Sequence, residues 1–285
     1  MRRKAASGTR QCPPKPTPDL LLLPRVLTAA ALLAAFLSAL WFLEQPAFAL
    51  VATAIVALGG YEWACLGKAR AAIAWAYALA CALLAFGAIQ LPFAVPWICG
   101  GAIVFWALVV PPWLALGFKA TPAVLMLIAG IIVLVPAGLA LATLGRGQVL
   151  MLLGLVWIAD TAAFLAGRAF GKHPLAASIS PAKTWEGVAG AAVATVLYAI
   201  ILGVVDPGLA ARVHGTAWVP YLAGAALLCA ASVVGDLFES AAKRRAGVKD
   251  SGSLLPGHGG VLDRIDSATA TLPVALLLMQ TIGPT

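Results

Sequence analysis

The sequence predicts an all-α, polytopic integral membrane protein with about nine transmembrane helices. Two counts and one pattern predict this class: 62% of the 285 residues are hydrophobic, only 11% are charged, and the apolar residues are gathered into long blocks. A soluble domain carries about 25% charged residues, and each block is close to the roughly 20 residues that a helix needs to cross the hydrocarbon core. The composition therefore excludes soluble, disordered and disulfide-scaffold proteins.

Nine spans are predicted where the apolar blocks end at charged, proline-rich or glycine-rich breaks. In chain order they cover 22–43, 46–66, 71–91, 93–116, 120–144, 148–167, 188–206, 216–238 and 261–282. Residues 1–18 are basic and rich in proline, which predicts a disordered cytoplasmic tail. The first five spans (19–145) are predicted to be a scaffold, and the last four (146–285) to be the catalytic region. Its predicted cytoplasmic loops are 168–187 and 239–260.

The positions of the lysines and arginines predict the orientation. With the N-terminus in the cytoplasm, every lysine and arginine except Arg146 and Arg212 lies on the cytoplasmic side. Because cytoplasmic loops retain positive charge, we expect the C-terminus outside and the active site facing the cytoplasm, in the cytoplasmic (inner) membrane. The net charge of +8 is then an insertion signal, and nucleic acid is not an expected partner.

The acidic residues are concentrated in the last four spans. Asp160 lies inside the sixth span, Asp236 and Glu239 end the eighth, and Asp263 and Asp266 begin the ninth. A charge at the centre of a bilayer costs about 2.5–3.5 kcal/mol, so these carboxylates must lie near the interface, pair with cations or line a wet cavity. The sequence therefore predicts a polar site at the cytoplasmic ends of these helices.

The segment between the last two spans combines cations, glycines and carboxylates. Lys243, Arg244 and Lys249 suit phosphate as charge donors. Gly259 and Gly260 allow backbone N–H groups to approach an anion closely, and carboxylates hold Mg²⁺, which bridges substrate phosphates. These are the groups that phosphoryl and nucleotidyl transfer need, because such reactions depend on positioning and charge neutralisation.

A second polar segment follows the sixth span. Ser180, Lys183 and Thr184 form a candidate second phosphate-binding set. The same Ser-Pro and Thr-x-x-Gly patterns are also typical of a turn and a helix start, and this alternative stays open. The chain has no GxxxxGK[ST] and no GxGxxG after a strand, so a nucleotide is not expected to be held by a soluble nucleotide-binding fold.

These residues carry a family resemblance. The run Ser240-Ala-Ala-Lys-Arg-x4-Lys-Asp-x-Gly-x2-Leu-Pro-x-His-Gly-Gly-Val-x-Asp-Arg-Ile-Asp266 resembles the signature of the phosphatidate cytidylyltransferases, or CDP-diacylglycerol synthases. Trp157-x-x-Asp160, Ser180-Pro-x-Lys183-Thr-Trp-Glu-Gly187 and Gly235-Asp236-Leu-x-Glu239 are also similar to that family. One departure is Ala182, which stands where the family commonly has a lysine.

The resemblance implies a reaction and a set of partners. CTP and phosphatidic acid would give CDP-diacylglycerol and pyrophosphate in phospholipid biosynthesis, by direct attack of the lipid phosphate on the α-phosphorus of CTP. Mg²⁺ would assist, and a monovalent cation such as K⁺ is a further candidate. Besides both substrates, membrane lipids are expected partners, and a second copy of the chain, in a homodimer, is a further candidate partner.

The resemblance also implies roles by motif position. Asp236 and Asp263 would bind the metal. Three further carboxylates would support catalysis, namely Asp160, Asp250 and Asp266. Phosphate charge would be neutralised by Lys183, Lys243, Arg244, Lys249 and Arg264. The nucleotide turn would be shaped by His258, Gly259 and Gly260.

Three alternatives compete with this interpretation. Asp236, Asp263 and Asp266 could form an interfacial salt-bridge cluster that only locks helices together, and for Glu62 in the second span this is the favoured interpretation. A transporter or ion channel could use intramembrane carboxylates as a relay, although the acids cluster at one face. A CDP-alcohol phosphatidyltransferase is disfavoured, because its Asp-Gly-x2-Ala-Arg motif is absent.

Overall fold

The computed structural model describes residues 18–118, 121–255 and 259–281, and these are mostly helical. Residues 1–17 of the predicted tail and the last four residues lie outside the described part of the chain. The helices follow the predicted spans closely. In chain order they are α1 Pro18–Phe42, α2 Gln45–Leu66, α3 Ala71–Ile89, α4 Pro92–Leu116, α5 Ala123–Thr143, α6 Arg146–Phe170, α7 Trp185–Val205, α8 Trp218–Ala246 and α9 Leu262–Thr281.

Seven of these helices are long and apolar enough to cross a membrane, within the part of the chain that the structure describes. They are the helices from α2 to α8, together with the short turn Gly215–Ala217 that leads into α8. In α1 the stretch Val26–Phe42 is apolar but shorter than these seven helices. The ninth predicted span corresponds to α9, which opens with three charged residues within five positions, Asp263, Arg264 and Asp266.

Helix α4, which corresponds to the predicted span 93–116, is not uniform. A π-helical stretch, Phe105–Val109, separates α-helical Val95–Val104 from Val110–Leu116. Pro111 and Pro112 follow this stretch. Proline has no N–H and crowds the carbonyl four residues earlier, and an interrupted hydrogen-bond ladder is a usual cause of such a widened turn.

A small β-hairpin lies between α6 and α7, inside the predicted loop 168–187. Its strands are β1 Pro174–Ala176 and β2 Ser180–Thr184, paired antiparallel. The Trp185 N–H donates to the His173 carbonyl at 3.0 Å, which closes the hairpin at the start of α7. The hairpin thereby gives fixed positions to side chains that the sequence places only in a loop.

Helix α8 is longer than the predicted span and continues through Ala246, so that segment 239–246 is helical instead of part of the loop. Cations in its last turn interact favourably with the helix dipole, and Lys243 and Arg244 are among them. Gly247 ends the helix in a left-handed conformation, with φ of 81°. The extension places these two cations on the same helix as Asp236.

An aromatic cluster fixes the C-terminal part of α8. Phe238 is buried among rings of α2, α4 and the following connection, with centroids 5.8 Å from Trp63, 5.4 Å from Trp106 and 5.1 Å from Phe118. Offset and edge-to-face ring pairs of this kind are favourable beyond their buried area. The polar residues before and after Phe238 are therefore held in a defined direction.

Helix α9 lies at the centre of the molecule, where it packs against α4, α5 and α8. Its small residues Ala268, Ala270 and Ala275 are buried. Small side chains let helix backbones approach closely, which is typical of helix contacts in membranes. The first turn of α9 is thereby brought against neighbouring elements of the protein.

Candidate active site

Five carboxylates from three helices meet at one end of the molecule. We call Asp160 of α6, Asp236 and Glu239 of α8, and Asp263 and Asp266 of α9 the acid cluster. Asp160, Asp236 and Asp266 interact electrostatically with one another, and Glu239 interacts with Asp263 and Asp266. Each pair on α8 and α9 is three residues apart, which places its members on one helix face. The structure therefore brings together the acids that the sequence predicts to lie near one another.

A glycine brings α8 and α9 together beside this cluster. A Cβ atom built on Gly235 would lie 2.7 Å from the Asp266 carbonyl oxygen and 3.1 Å from the Ala270 Cβ. Any larger residue would have to separate the two helices. Gly235 thus sets the short distance across which Asp236 and the carboxylates of α9 interact.

Two lysines enter the acid cluster. Lys183, on strand β2, forms an ion pair with the Asp236 carboxylate. The Lys243 ammonium lies 3.0 Å from the Glu239 carboxylate and 2.7 Å from that of Asp263, and its side chain is only 11% exposed. Both lysines were predicted to bind substrate phosphate, and the structure places both among the carboxylates.

Asp263 is held on both sides by hydrogen bonds. Its Oδ2 accepts from the Ser251 N–H at 2.9 Å and from the Gly260 N–H at 2.8 Å, and the Ser251 hydroxyl lies 3.0 Å away. Its Oδ1 accepts from Lys243. The predicted metal ligand is therefore locked in position, and Gly260, which was predicted to shape a nucleotide turn, directs its N–H at Asp263.

Glu62 joins this network from α2, in the part predicted to be scaffold. Its carboxylate accepts from the Val261 N–H at 2.9 Å, the Leu262 N–H at 2.8 Å and the Ser251 hydroxyl at 3.0 Å. Glu62 is 1% exposed. A carboxylate on free N–H groups at a helix N-terminus satisfies those donors and the helix dipole, so Glu62 caps α9.

The expected salt-bridge role of Glu62 is therefore replaced by a hydrogen-bonding role. Gly252 and Gly260 pack against the carboxylate, and a Cβ atom on Gly252 would lie 2.7 Å from Glu62 Oε1. The sequence signal that could have found this residue is its ionisable side chain within an apolar helix, which is by default a functional position.

Thr184 occupies the helix-start role that the sequence kept open as an alternative to phosphate binding. Its hydroxyl accepts from the Gly187 N–H at 3.1 Å and so caps α7. Ser180 begins β2 and is partly buried. Arg244 donates to the Ile179 carbonyl at 3.2 Å, which ties α8 to the hairpin.

The remaining predicted site residues lie in the loop after α8 and at the start of α9. Lys249 and Asp250 are exposed in the connection that follows α8. Gly259 has φ of 82°, and a Cβ atom there would lie 2.7 Å from Asp263 Oδ2. Arg264 is exposed on the first turn of α9, whereas His258 lies outside the described residues.

The acid cluster has the electrostatics of a cation site. Its five carboxylates face the two ammonium groups of Lys183 and Lys243, which leaves an excess of formal negative charge. Glu239 Oε2 is buried and accepts no hydrogen bond from the described residues, although buried polar atoms are normally paired. Among those residues, no group of three or more His, Cys, Asp or Glu side chains is arranged so that it could hold a metal ion by itself.

Known proteins resemble this chain, one of them along nearly its whole length. The phosphatidate cytidylyltransferase of Pseudomonas aeruginosa is 40% identical over 283 residues, which cover 92% of this chain and 98% of that protein. A protein of the same name from Haemophilus influenzae is 51% identical over 120 residues, 42% of this chain and 41% of its own length. One from Staphylococcus epidermidis is 42% identical over 139 residues, 48% of this chain and 51% of its own length.

The family comparison agrees with these relatives. The model of the family described as the cytidylyltransferase family matches residues 23–282, which include every member of the acid cluster and both lysines. The matched range also contains Glu62 and the whole of α2. The chain therefore belongs to the cytidylyltransferase family.

Proposed function

We propose that this protein condenses CTP with phosphatidic acid to give CDP-diacylglycerol and pyrophosphate. The observation that carries the proposal is the acid cluster with Lys183 and Lys243, which gathers cation-binding and phosphate-binding groups at one end of a helical membrane protein. Support comes from the family and from the relative named phosphatidate cytidylyltransferase that matches 92% of the chain. A transporter or ion channel is not favoured, because the acidic residues are gathered at one end of the molecule and are not spaced across the bilayer.

The reaction needs no nucleophile from the protein. A phosphate oxygen of the lipid attacks the α-phosphorus of CTP and forms the new P–O bond. The bond between that phosphorus and the oxygen bridging to the β-phosphate breaks, and its electrons leave with pyrophosphate. Because the attacking phosphate is already ionised at neutral pH, what the site must supply is alignment of the two anions and neutralisation of their charge.

Mg²⁺ is the proposed cofactor, with Asp236 and Asp263 as its protein ligands. Both carboxylates hold a lysine ammonium in this structure, so each is placed to receive a cation. Mg²⁺ usually binds to one or two carboxylates and takes its other ligands from substrate phosphates and water, which suits a site with two such ligands. When bound, Mg²⁺ would withdraw charge from the phosphates, and K⁺ is proposed as a second cation.

The side chains of this chain orient the phosphates around that centre. Lys183 and Lys243 neutralise phosphate oxygens as they exchange their carboxylate partners for substrate. Asp160 and Asp266 maintain the negative field that attracts cations, since both interact with Asp236. Asp250 adds a carboxylate on the exposed loop, close to Gly259.

The proposed topology has nine spans, with the N-terminus in the cytoplasm and the C-terminus outside. Seven helices meet the length and composition of a span, and α1 and α9 are the remaining two. The hairpin, the loop after α8 and the start of α9 meet at the acid cluster. That end of the molecule is the proposed cytoplasmic face in the inner membrane, where a soluble nucleotide and a lipid phosphate can meet.

The direct test is product formation by the purified protein. Radiolabelled CTP, phosphatidic acid and Mg²⁺ should give labelled CDP-diacylglycerol, and omission of either phosphatidic acid or Mg²⁺ should abolish the product. Labelled lipid formed without phosphatidic acid would indicate another acceptor, and unchanged turnover in a metal chelator would contradict the cofactor.

A further inference from the structure

An apolar groove of about 360 Å³ runs between α1, α2, α5, α6 and α9. We propose that this groove, here called the acyl groove, holds a fatty acyl chain of the lipid substrate; the proposal rests on the function proposed above. Leu33 and Phe36 line it from α1, Ile55 from α2 and Leu134 from α5. Its volume falls within the range of about 300–1,000 Å³ that is usual for small-molecule sites.

The acyl groove opens toward the region that lipid would occupy. Leu32 and Leu33, on the wall formed by α1, are 40% and 41% exposed. The opposite wall is closed, since Ala268 and Leu272 of α9 are 7% and 6% exposed. A groove with one lipid-facing wall and one wall inside the protein can receive a hydrocarbon chain laterally, without its passing through water.

The acyl groove lies within about one helical turn of the acid cluster on two helices. On α9, Arg264, Ala268 and Leu272 recur every four residues and face the groove, while Asp263 and Asp266 of the same helix belong to the acid cluster. On α6, Trp157 lines the groove three residues before Asp160. One helical turn rises about 5.4 Å. A lipid with its phosphate at the acid cluster therefore has the groove directly beside it.

The charge at the cluster end of the acyl groove suits a lipid phosphate. Arg264 is the charged residue among the groove-lining side chains, and it lies on the first turn of α9 next to Asp263. A guanidinium binds phosphate oxygens in a planar, two-pronged geometry. The combination of a cation at one end and an apolar channel below it matches a phosphate attached to an acyl chain.

A larger apolar cavity, of about 460 Å³ between α6, α7, α8 and α9, is placed differently. Its polar lining residues include Asp206 and Arg212, in the connection between α7 and α8. That connection lies at the other ends of these helices from the hairpin and the acid cluster. On α6 the cavity comes no nearer to Asp160 than Leu155, which is five residues, or about 7.5 Å, before it, whereas the acyl groove reaches Trp157, three residues before it. If the lipid phosphate lies at the acid cluster, the acyl groove is therefore the better placed of the two cavities to hold the acyl chain.

The first test changes the chain-length preference. Leu33→Trp adds volume to the acyl groove, whereas Leu27→Trp makes the same change on α1 at a residue that is 59% exposed and does not line it. We expect Leu33→Trp to lower kcat/KM for dioleoyl phosphatidate about tenfold or more. Turnover of dihexanoyl phosphatidate should stay close to that of the unchanged protein, and Leu27→Trp should match the unchanged protein with both substrates.

The second test locates the chain directly. Phosphatidate with a photoreactive diazirine near the end of one acyl chain should label groove residues of α1, α6 or α9 in the unchanged protein. Excess phosphatidate should prevent labelling, and excess phosphatidylcholine should not. Labelling confined to the larger cavity, or prevented equally by both lipids, would overturn the proposal.

The two tests separate the acyl groove from the function on which it rests. If the unchanged protein makes no CDP-diacylglycerol, the proposed function fails. If it does make the product, but Leu33→Trp and Leu27→Trp have the same kcat/KM for each of the two substrates, the groove proposal alone fails. If Leu33→Trp loses turnover of both chain lengths equally, the labelling pattern decides whether the chain lies in the groove.

Discussion

The Glu62 carboxylate accepts a hydrogen bond from the Leu262 N–H at 2.8 Å, across 200 positions of the chain. This contact joins α2, in the predicted scaffold, to the first turn of α9 beside Asp263. Because the same carboxylate also accepts from Val261 and Ser251, a single side chain determines where α9 begins. We infer that Glu62 is a positioning residue for the acid cluster.

Glu62→Gln should reduce both stability and activity. The amide would turn an NH₂ group toward N–H and O–H donors, and an unsatisfied buried polar group costs about 1–3 kcal/mol. Thermal unfolding in detergent should therefore show a lower midpoint, and kcat should fall. Glu44→Gln is the control, since Glu44 is exposed at the other end of α2. Equal behaviour of the two variants would contradict the positioning role.

Lys243→Met should be among the most damaging changes at the site. Its ammonium pairs with Glu239 and Asp263, which are 4% and 7% exposed, and removal of one partner from a buried ion pair costs about 3–5 kcal/mol. We expect a large fall in the unfolding midpoint together with loss of turnover. Lys249→Met changes an exposed lysine and should leave the unfolding midpoint unchanged. If Lys249→Met lowered the midpoint as much as Lys243→Met, the loss of stability could not be assigned to the buried ion pairs of Lys243.

Gly260→Ala should disrupt the hydrogen bonds around Asp263. A Cβ atom at this position would overlap the Ser251 hydroxyl and the Glu62 carboxylate, so the loop would have to move away from α9. Gly100→Ala is matched, because nothing lies within 4 Å of a Cβ atom built there. Product formation by Gly260→Ala at the level of Gly100→Ala would mean that the loop tolerates displacement.

The proposed orientation can be measured independently of the chemistry. A reporter that is active only outside the cytoplasm should be active when fused to the C-terminus, and a reporter that is active only in the cytoplasm should be inactive there. The opposite pair of results would require an even number of spans, or an N-terminus outside, and would contradict the topology.

Much of the fold could be predicted from the sequence, because hydrophobic blocks and their breaks are local signals. The helices α2 and α3 begin and end within two residues of the predicted spans. The β-hairpin and the π-helical stretch of α4 were missed. Short strands carry little periodicity, and a π-helical turn reflects the local effect of two consecutive prolines on hydrogen bonding.

The sequence predicted which residues form the candidate site better than it predicted which of them contact one another. Spacing of three residues correctly placed Asp236 with Glu239, and Asp263 with Asp266, on shared helix faces. Neither the pairing of Lys183 with Asp236 nor the contact between Glu62 and Leu262 has a local signal. Both depend on the packing of helices that are distant in the chain, which a single sequence does not show.

The central claim is that the acid cluster forms the catalytic site, and Asp263→Asn tests it most directly. This variant keeps the shape of the side chain and removes its charge, while Asp206→Asn makes the same change at the cap of a single helical turn between α7 and α8. With both proteins inserted at equal levels, Mg²⁺-dependent formation of CDP-diacylglycerol should fall about a hundredfold or more in Asp263→Asn. It should persist in Asp206→Asn. Full activity of Asp263→Asn would contradict the account.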